Sequence, residues 1–293
     1  MKVNDWISDH YKWVFVAPAL VFMVLMIVVP LVMTLVFSLT DWNLLTGRAP
    51  HFNGVANYIE ILTSSDFWHS FGITFYYTFL AIAMELVAGV FLAVLISKEF
   101  AGKGIVKTII LLPYMMAPVA VGMMWMLFYE PTSGFMNWLF TTIGLPRSGF
   151  TSARGSVIPS LAFVEFWQMT PMVVIVCMAG LAALPEDCME AAVVDGASPV
   201  QTFFRVKLPM LLPTIFSIGL LRFVDVFKSF DLIYAMTKGG PANASRTLNI
   251  YAYEEAFSYY KFGLSSSILT VVFVIVLAIS FATMKLRNKV AEV

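Results

Sequence analysis

Glu190-Ala-Ala-Val-Val-Asp-Gly-Ala-Ser-Pro199, with Leu208-Pro209 beyond it, is a polar stretch set between two long apolar runs. Local rules give it two short helices. Pro185 suits a first helical position, and Glu186 and Asp187 favour the positive end of a helix dipole. The run from Glu186 to Asp195 consists of helix formers and meets Gly196, a residue suited to a left-handed stop. Ser198-Pro199-Val200-Gln201 reads as a capping box with proline at the first helical position. The second helix is expected to reach about Val206, and Leu208-Pro209 to redirect the chain into the next span. The result is a helix–Gly–helix elbow over 185–208, lying across a membrane surface. Its exposed face combines acids with small residues: Glu190, Ala191, Ala192, Asp195 and Ala197. Small side chains admit a partner backbone, and a carboxylate accepts a forked arginine bond. A plain solvated loop is the alternative.

The rest of the composition sets the class. Of 293 residues, 60% are apolar and 12% charged, which describes one integral membrane unit rather than two soluble domains. Acids and bases number 18 each, so a nucleic-acid partner has no electrostatic support. Cys177 and Cys188 make no disulfide framework, and His10, His51 and His69 are too scattered for a metal site. No nucleophile, zinc or phosphate-cradling motif is present, so no cofactor is expected in this chain.

Six segments are long and apolar enough to cross a bilayer as helices: 13–39, 70–97, 107–129, 157–184, 209–235 and 263–284. The expected fold is all-α and membrane-integral, with six transmembrane helices and the elbow between the fourth and fifth. The first segment is uncharged from Trp13 to Thr40, too long for a signal peptide, and reads as a retained helix. Loop charge sets the orientation. With the N-terminus inside, Lys and Arg number ten inside and six outside, and the clusters at 98–107 and 285–289 lie next to helix ends. Both termini and the elbow are therefore expected in the cytoplasm. The outer loops carry turn signals at Asn53-Gly54, Pro131-Thr-Ser-Gly134 and Gly239-Gly240-Pro241. Trp42, Trp68 and Trp138 near these ends read as interfacial anchors.

The Glu-Ala-Ala triplet, Asp195-Gly-Ala-Ser198 and Leu208-Pro209 occur together at the spacing of the EAA loop in permease subunits of bacterial ABC importers. Phe227-Lys-Ser-Phe-Asp-Leu-Ile-Tyr-Ala-Met-Thr-Lys-Gly-Gly-Pro241, Tyr251-Ala-Tyr-Glu-Glu-Ala-Phe257 and Phe262-Gly263 resemble the maltose-type group within that family. The motif likeness covers roughly 157–264; Val206 stands where isoleucine is common, and the chain resembles the shorter, six-helix form. The resemblance implies an importer of oligosaccharides or glycerol phosphates in the bacterial inner membrane. It divides the chain into an N-terminal helix and loop, 1–69, and a permease core, 70–293. It implies a second, homologous permease subunit, two ATP-binding subunits that hold ATP and Mg, and an extracytoplasmic solute-binding protein. ATPase coupling then falls on Glu190, Ala191, Ala192, Asp195, Gly196, Ala197, Leu208 and Pro209, and binding-protein contact on Gly239, Gly240 and Pro241.

Arg222, Asp225, Lys228 and Asp231 alternate in sign at intervals of three on the fifth segment, so pairing along one helix side could neutralise all four. The stripe is either a wall of the solute path or a structural ladder, and the two are compatible. Glu85 and Glu165 are further acids within spans, where charge is costly and faces the bundle interior. Glu165, Trp167 and Gln168 form the constellation best suited to a sugar: carboxylate and amide for hydroxyls, an indole face for the apolar side of a ring. Packing is the competing role of the indole. Tyr114, Ser229 and Tyr234 complete the candidate pathway. A non-transporting receptor or scaffold, or an intramembrane enzyme, is the alternative function; an enzyme lacks any recognisable catalytic constellation.

Overall fold

The computed structural model describes residue 13 and residues 15–291, so Lys2, His10 and Lys12 lie outside the described residues. Among the described residues the fold is helical, with only two isolated β-bridges, Thr40 to Phe52 and Asn43 to Lys261. Five helices are long and apolar enough to cross a membrane, or six if the bent pair Lys103–Met115 and Pro118–Phe128 makes one span. The chain forms two compact units, residues 1–67 with 251–273, and residues 68–250 with 274–293.

In the first unit, helix α1 (Phe15–Ser38) is uniformly apolar, and nothing in its most hydrophobic window is buried within the chain. Such a surface belongs against lipid or another subunit. Helix α2 (Ala56–Thr63) sits over the end of α1. The amide of Asn57 donates to the carbonyls of Ser38 and Thr40 at 2.9 and 2.8 Å, closing groups that the end of α1 leaves open. Gly263 opens the last helix of the chain here, where any Cβ would fall on the carbonyl oxygen of Thr40.

The second unit carries the polar features. Its helices are α3 (Ser65–Ser97), α4 (Lys103–Leu111), α5 (Pro118–Phe128), α6 (Phe135–Thr142) and α7 (Val157–Ala182). After them come α8 (Glu186–Val194), α9 (Pro199–Phe227) and α10 (Asp231–Thr237), while the residues of α11 (Leu248–Tyr253) and α12 (Phe262–Ala291) are divided between the two units. The third expected span is bent by 98° between Lys103–Met115 and Pro118–Phe128. A proline forces its predecessor into extended backbone, and Ala117 has ψ 134°. The carbonyl of Met116 is freed by the bend and accepts from Gln168 Nε2 at 2.9 Å. The fifth span also departs from expectation. It ends at Phe227, and α10 restarts at Asp231. Here the Asn249 side-chain amide takes the freed Phe227 carbonyl at 3.1 Å.

A second departure lies at the start of α9. Leu208-Pro209 do not redirect the chain; the helix runs unbroken from Pro199 to Phe227. A wide π-turn over Phe203–Lys207 makes this possible, with Leu208 N bonding the carbonyl of Phe203. A proline ring collides with the carbonyl four residues back in a regular helix, and widening the turn relieves the collision. The same device precedes Pro30 in α1, where the π-turn is Val24–Val28.

Small residues let α3, α7 and α9 approach closely. A Cβ on Gly89 would stand 2.5 Å from Val173 Cγ1, and one on Gly180 2.8 Å from Leu211 Cδ1. Ala93, Ile96, Val173, Val174, Cys177 and Ile218 form the apolar core beside them.

The same three helices meet in a buried ion cluster. Arg222 of α9 donates from Nε to Glu85 Oε2 at 2.7 Å and from Nη2 to Glu85 Oε1 at 3.1 Å. Its Nη2 also donates to Glu165 Oε1 at 2.6 Å, and Tyr77 OH donates to Glu165 Oε2 at 3.2 Å. Glu85 comes from α3 and Glu165 from α7, and all three charged residues are buried. The expected ladder along α9 is therefore replaced by pairing between helices. Asp225 is the only member of the stripe near Arg222, at 3.7 Å from Nη1. Among the described residues, Lys228 and Asp231 make no ion pair within 4 Å, because the helix break takes them off a common face.

Two substitutions test this packing. Gly89→Leu should destabilise by about 1–3 kcal/mol through overpacking against Val173, and Val173→Ala in the same chain should recover part of it. Thermal unfolding in detergent micelles reads both. Arg222→Met should be harsher, about 3–5 kcal/mol, since it strands two buried carboxylates. Neutralising all three together (E85Q, R222M, E165Q) should restore most of the folded fraction in size-exclusion profiles after heating.

Candidate functional site

The break between α9 and α10 opens a cavity of about 370 Å³. Tyr114, Glu165, Arg222, Asp225, Lys228, Ser229 and Asp231 line it, with Pro118, Met169, Met172, Phe230 and Leu232 as the apolar remainder. Seven candidate pathway residues from four helical segments thus share one polar chamber. The bend before α5 contributes Tyr114 and Pro118; the α9 break turns Lys228, Ser229 and Asp231 inward.

Three candidates stand outside the wall. Trp167 packs edge-on against Trp125, with ring centroids 5.6 Å apart, which is the packing role weighed for it. Gln168 is 1% exposed and its Nε2 donates to the Met116 carbonyl, so it props the bend instead of facing a solute. Tyr234 stacks on Phe230 at 5.0 Å. Sequence reasoning missed Phe230, Met169 and Met172 as wall residues, because nothing in their spacing announces the helix break.

The elbow is built much as its caps predict. α8 starts at Glu186, with Pro185 as the residue that caps it rather than its first helical residue. Gly196 is left-handed, with φ +75°. Ser198 N donates to Gln201 Oε1 at 2.8 Å and Gln201 N to Ser198 Oγ at 3.3 Å, a complete capping box. Glu190, Ala191, Asp195 and Gly196 are exposed, but Ala192 is buried and Ala197 half-buried. Ala192 turns inward, and its carbonyl closes the turn by accepting from Ala197 N at 3.0 Å. The exposed surface contains apolar groups the sequence reading did not select: Val193, Val194, Val200 and Phe204, the most exposed being Val194 at 87%. Leu208 is half-buried and Pro209 exposed on the rising helix, away from the elbow turn.

The Gly239-Gly240-Pro241 loop is tightly tied. Ser245 Oγ donates to the Gly240 carbonyl at 2.6 Å, and Gly240 N to Thr237 O at 2.8 Å. Lys238, Ala242 and Asn243 all have positive φ, an uncommon conformation for residues with a Cβ. Gly239 is buried, and Gly240 and Pro241 are half-buried; the exposed tip is Ala242-Asn243.

Comparison with known proteins agrees with this architecture. The family of binding-protein-dependent transport system inner membrane components matches residues 85–287. A probable ABC transporter permease protein of Sinorhizobium fredii, y4oQ, is 38% identical over 270 residues, covering 91% of this chain and 86% of its own. The trehalose transport system permease protein SugA of Mycobacterium tuberculosis is 34% identical, covering 94% of this chain and 88% of its own. Among solved structures, a bacterial ABC transporter involved in the import of the acidic polysaccharide alginate shares the fold, with TM-score 0.83, 19% identity and 99% of each chain covered. With its apolar helices, polar elbow and matched core, this multi-pass membrane protein belongs to the family of binding-protein-dependent transport system inner membrane components.

Proposed function

We propose that the chain forms half of the translocation pathway of an ATP-driven importer of oligosaccharides or related sugar compounds. The observation that carries this reading is the polar chamber of about 370 Å³ inside an apolar helix bundle. A solute crossing lipid needs such a water-accessible site with hydrogen-bonding groups, and helix breaks within membranes persist where they line one. The trehalose permease among the relatives supports a sugar as cargo. Glu165, Arg222, Asp225, Lys228, Ser229, Asp231 and Tyr114 are the residues proposed to meet it.

The other half of the pathway comes from a second, homologous permease subunit. The elbow is the docking element for one of two ATP-binding subunits, which hold ATP and Mg; this chain supplies no catalytic group. Glu190, Ala191, Asp195 and Gly196, with Val193, Val194 and Val200 around them, are the surface on offer. An extracytoplasmic solute-binding protein meets the loop at 239–243, at its Ala242-Asn243 tip. The lysine and arginine bias supports both termini and the elbow lying on the cytoplasmic side of a bacterial inner membrane.

The test is reconstitution of the chain with its copurifying partners, followed by assay of solute-stimulated ATP hydrolysis. Sugars acting through a binding protein are expected to stimulate it; the absence of any associated ATPase would overturn the reading. Gly196→Pro should abolish uptake and reduce copurifying ATPase while the chain still inserts. The ring fixes φ near about −65°, opposite in sign to the turn that Gly196 makes. Unchanged uptake and association in that variant would remove the elbow from the coupling role.

A further inference from the structure

The charges around the cavity bear on what it admits. Arg222 is the cation best placed to grip an anionic solute, and it is already engaged. Its Nε and Nη2 bond Glu85, Nη2 also bonds Glu165, and the residue is 1% exposed. With both glutamates on its donors, the guanidinium leaves no spare positive charge for a solute. The charged groups that face a solute are Asp225, whose side chain is 51% exposed although 3.7 Å from Arg222 Nη1, and the exposed Lys228 and Asp231. They give two acids against one base. Lys228 is tied to neither acid by an ion pair among the described residues, so the excess is not quenched by a local bridge. Tyr114 and Ser229 add neutral hydroxyls.

We propose, on the importer reading, that this wall holds a negative potential and selects neutral or amino-bearing saccharides over uronates and sugar phosphates, with Asp225 and Asp231 setting its sign. A hydroxyl or ammonium donor gains a charge-assisted hydrogen bond from these carboxylates. A carboxylate or phosphate entering the same chamber loses hydration and meets like charge where water screens poorly. The alginate transporter that shares this fold serves an acidic polysaccharide, so the fold alone does not dictate the field.

The sign of the potential can be measured without knowing the cargo. In the assembled importer, Ser229→Cys is introduced with Cys188→Ser, since Cys188 is exposed and Cys177 buried. Methanethiosulfonate reagents of similar size, one cationic and one anionic, then modify the new thiol, followed by the intact mass of this chain. Relative to a free thiol, the cationic reagent should be favoured by about tenfold. Asp231→Asn should lower that preference, Asp225→Asn should lower it further, and high salt should compress it. If Ser229→Cys fails to assemble, Tyr114→Cys on the same wall serves as reporter. A preference equal to the free thiol's, or reversed, overturns the charge inference even where sugars stimulate ATP hydrolysis. A cationic preference without ATP hydrolysis stimulated by any neutral, amino or uronate trisaccharide upholds the field and defeats the importer reading instead.

Discussion

A single guanidinium, that of Arg222, fixes how three spans of the second unit face one another. An arginine inside an apolar bundle is tolerated only when its donors are engaged, and its planar fork demands partners in set directions. Glu85 fills one edge of the fork and Glu165 meets it from another helix, so the rotations of α3, α7 and α9 are set together. Close approach is a precondition, and Gly89 and Gly180 provide it at the α3–α7 and α7–α9 contacts. Larger side chains at those glycines would hold the helices too far apart for bonds of 2.6–2.7 Å.

The helix breaks follow a related logic. A bend within lipid frees backbone carbonyls that water cannot satisfy, and here each break is answered by a side-chain amide. Gln168 answers the bend at Met116, and Asn249 answers the end of α9 at Phe227. These two amides let irregular backbone survive at the cavity, and they explain why a glutamine chosen as a solute ligand from its sequence neighbours turns out to hold the scaffold.

Much of the architecture was readable from local signals. Apolar length located the spans, and Ser198, Gln201 and Gly196 located the elbow, because caps and left-handed stops act within a few residues. The regular helix over 209–235 was misjudged because no residue between Lys228 and Phe230 is a strong breaker; the break is stabilised by Asn249, far along the chain. The expected intrahelical ladder failed for the same reason. Spacing alone made Asp225, Lys228 and Asp231 the natural neighbours of Arg222, yet its partners lie 137 and 57 residues away in sequence. The turned-in Ala192 and the exposed valines of the elbow likewise depend on how α8 meets the next helix, which a pattern of acids and small residues does not encode.

The unbroken run of α9 through Leu208-Pro209 makes the elbow and the charged wall two ends of one rod. From Pro199 to Arg222 the rise is about 35 Å at 1.5 Å per residue. A force on the elbow therefore reaches the guanidinium as tilt or translation of a stiff beam, with no loop between to absorb it. The π-turn at Phe203–Lys207, within two turns of the elbow, and Pro213 inside the helix are the compliant points of that beam. A rod pivoting at such points would turn a small displacement near the membrane surface into a larger one at the chamber.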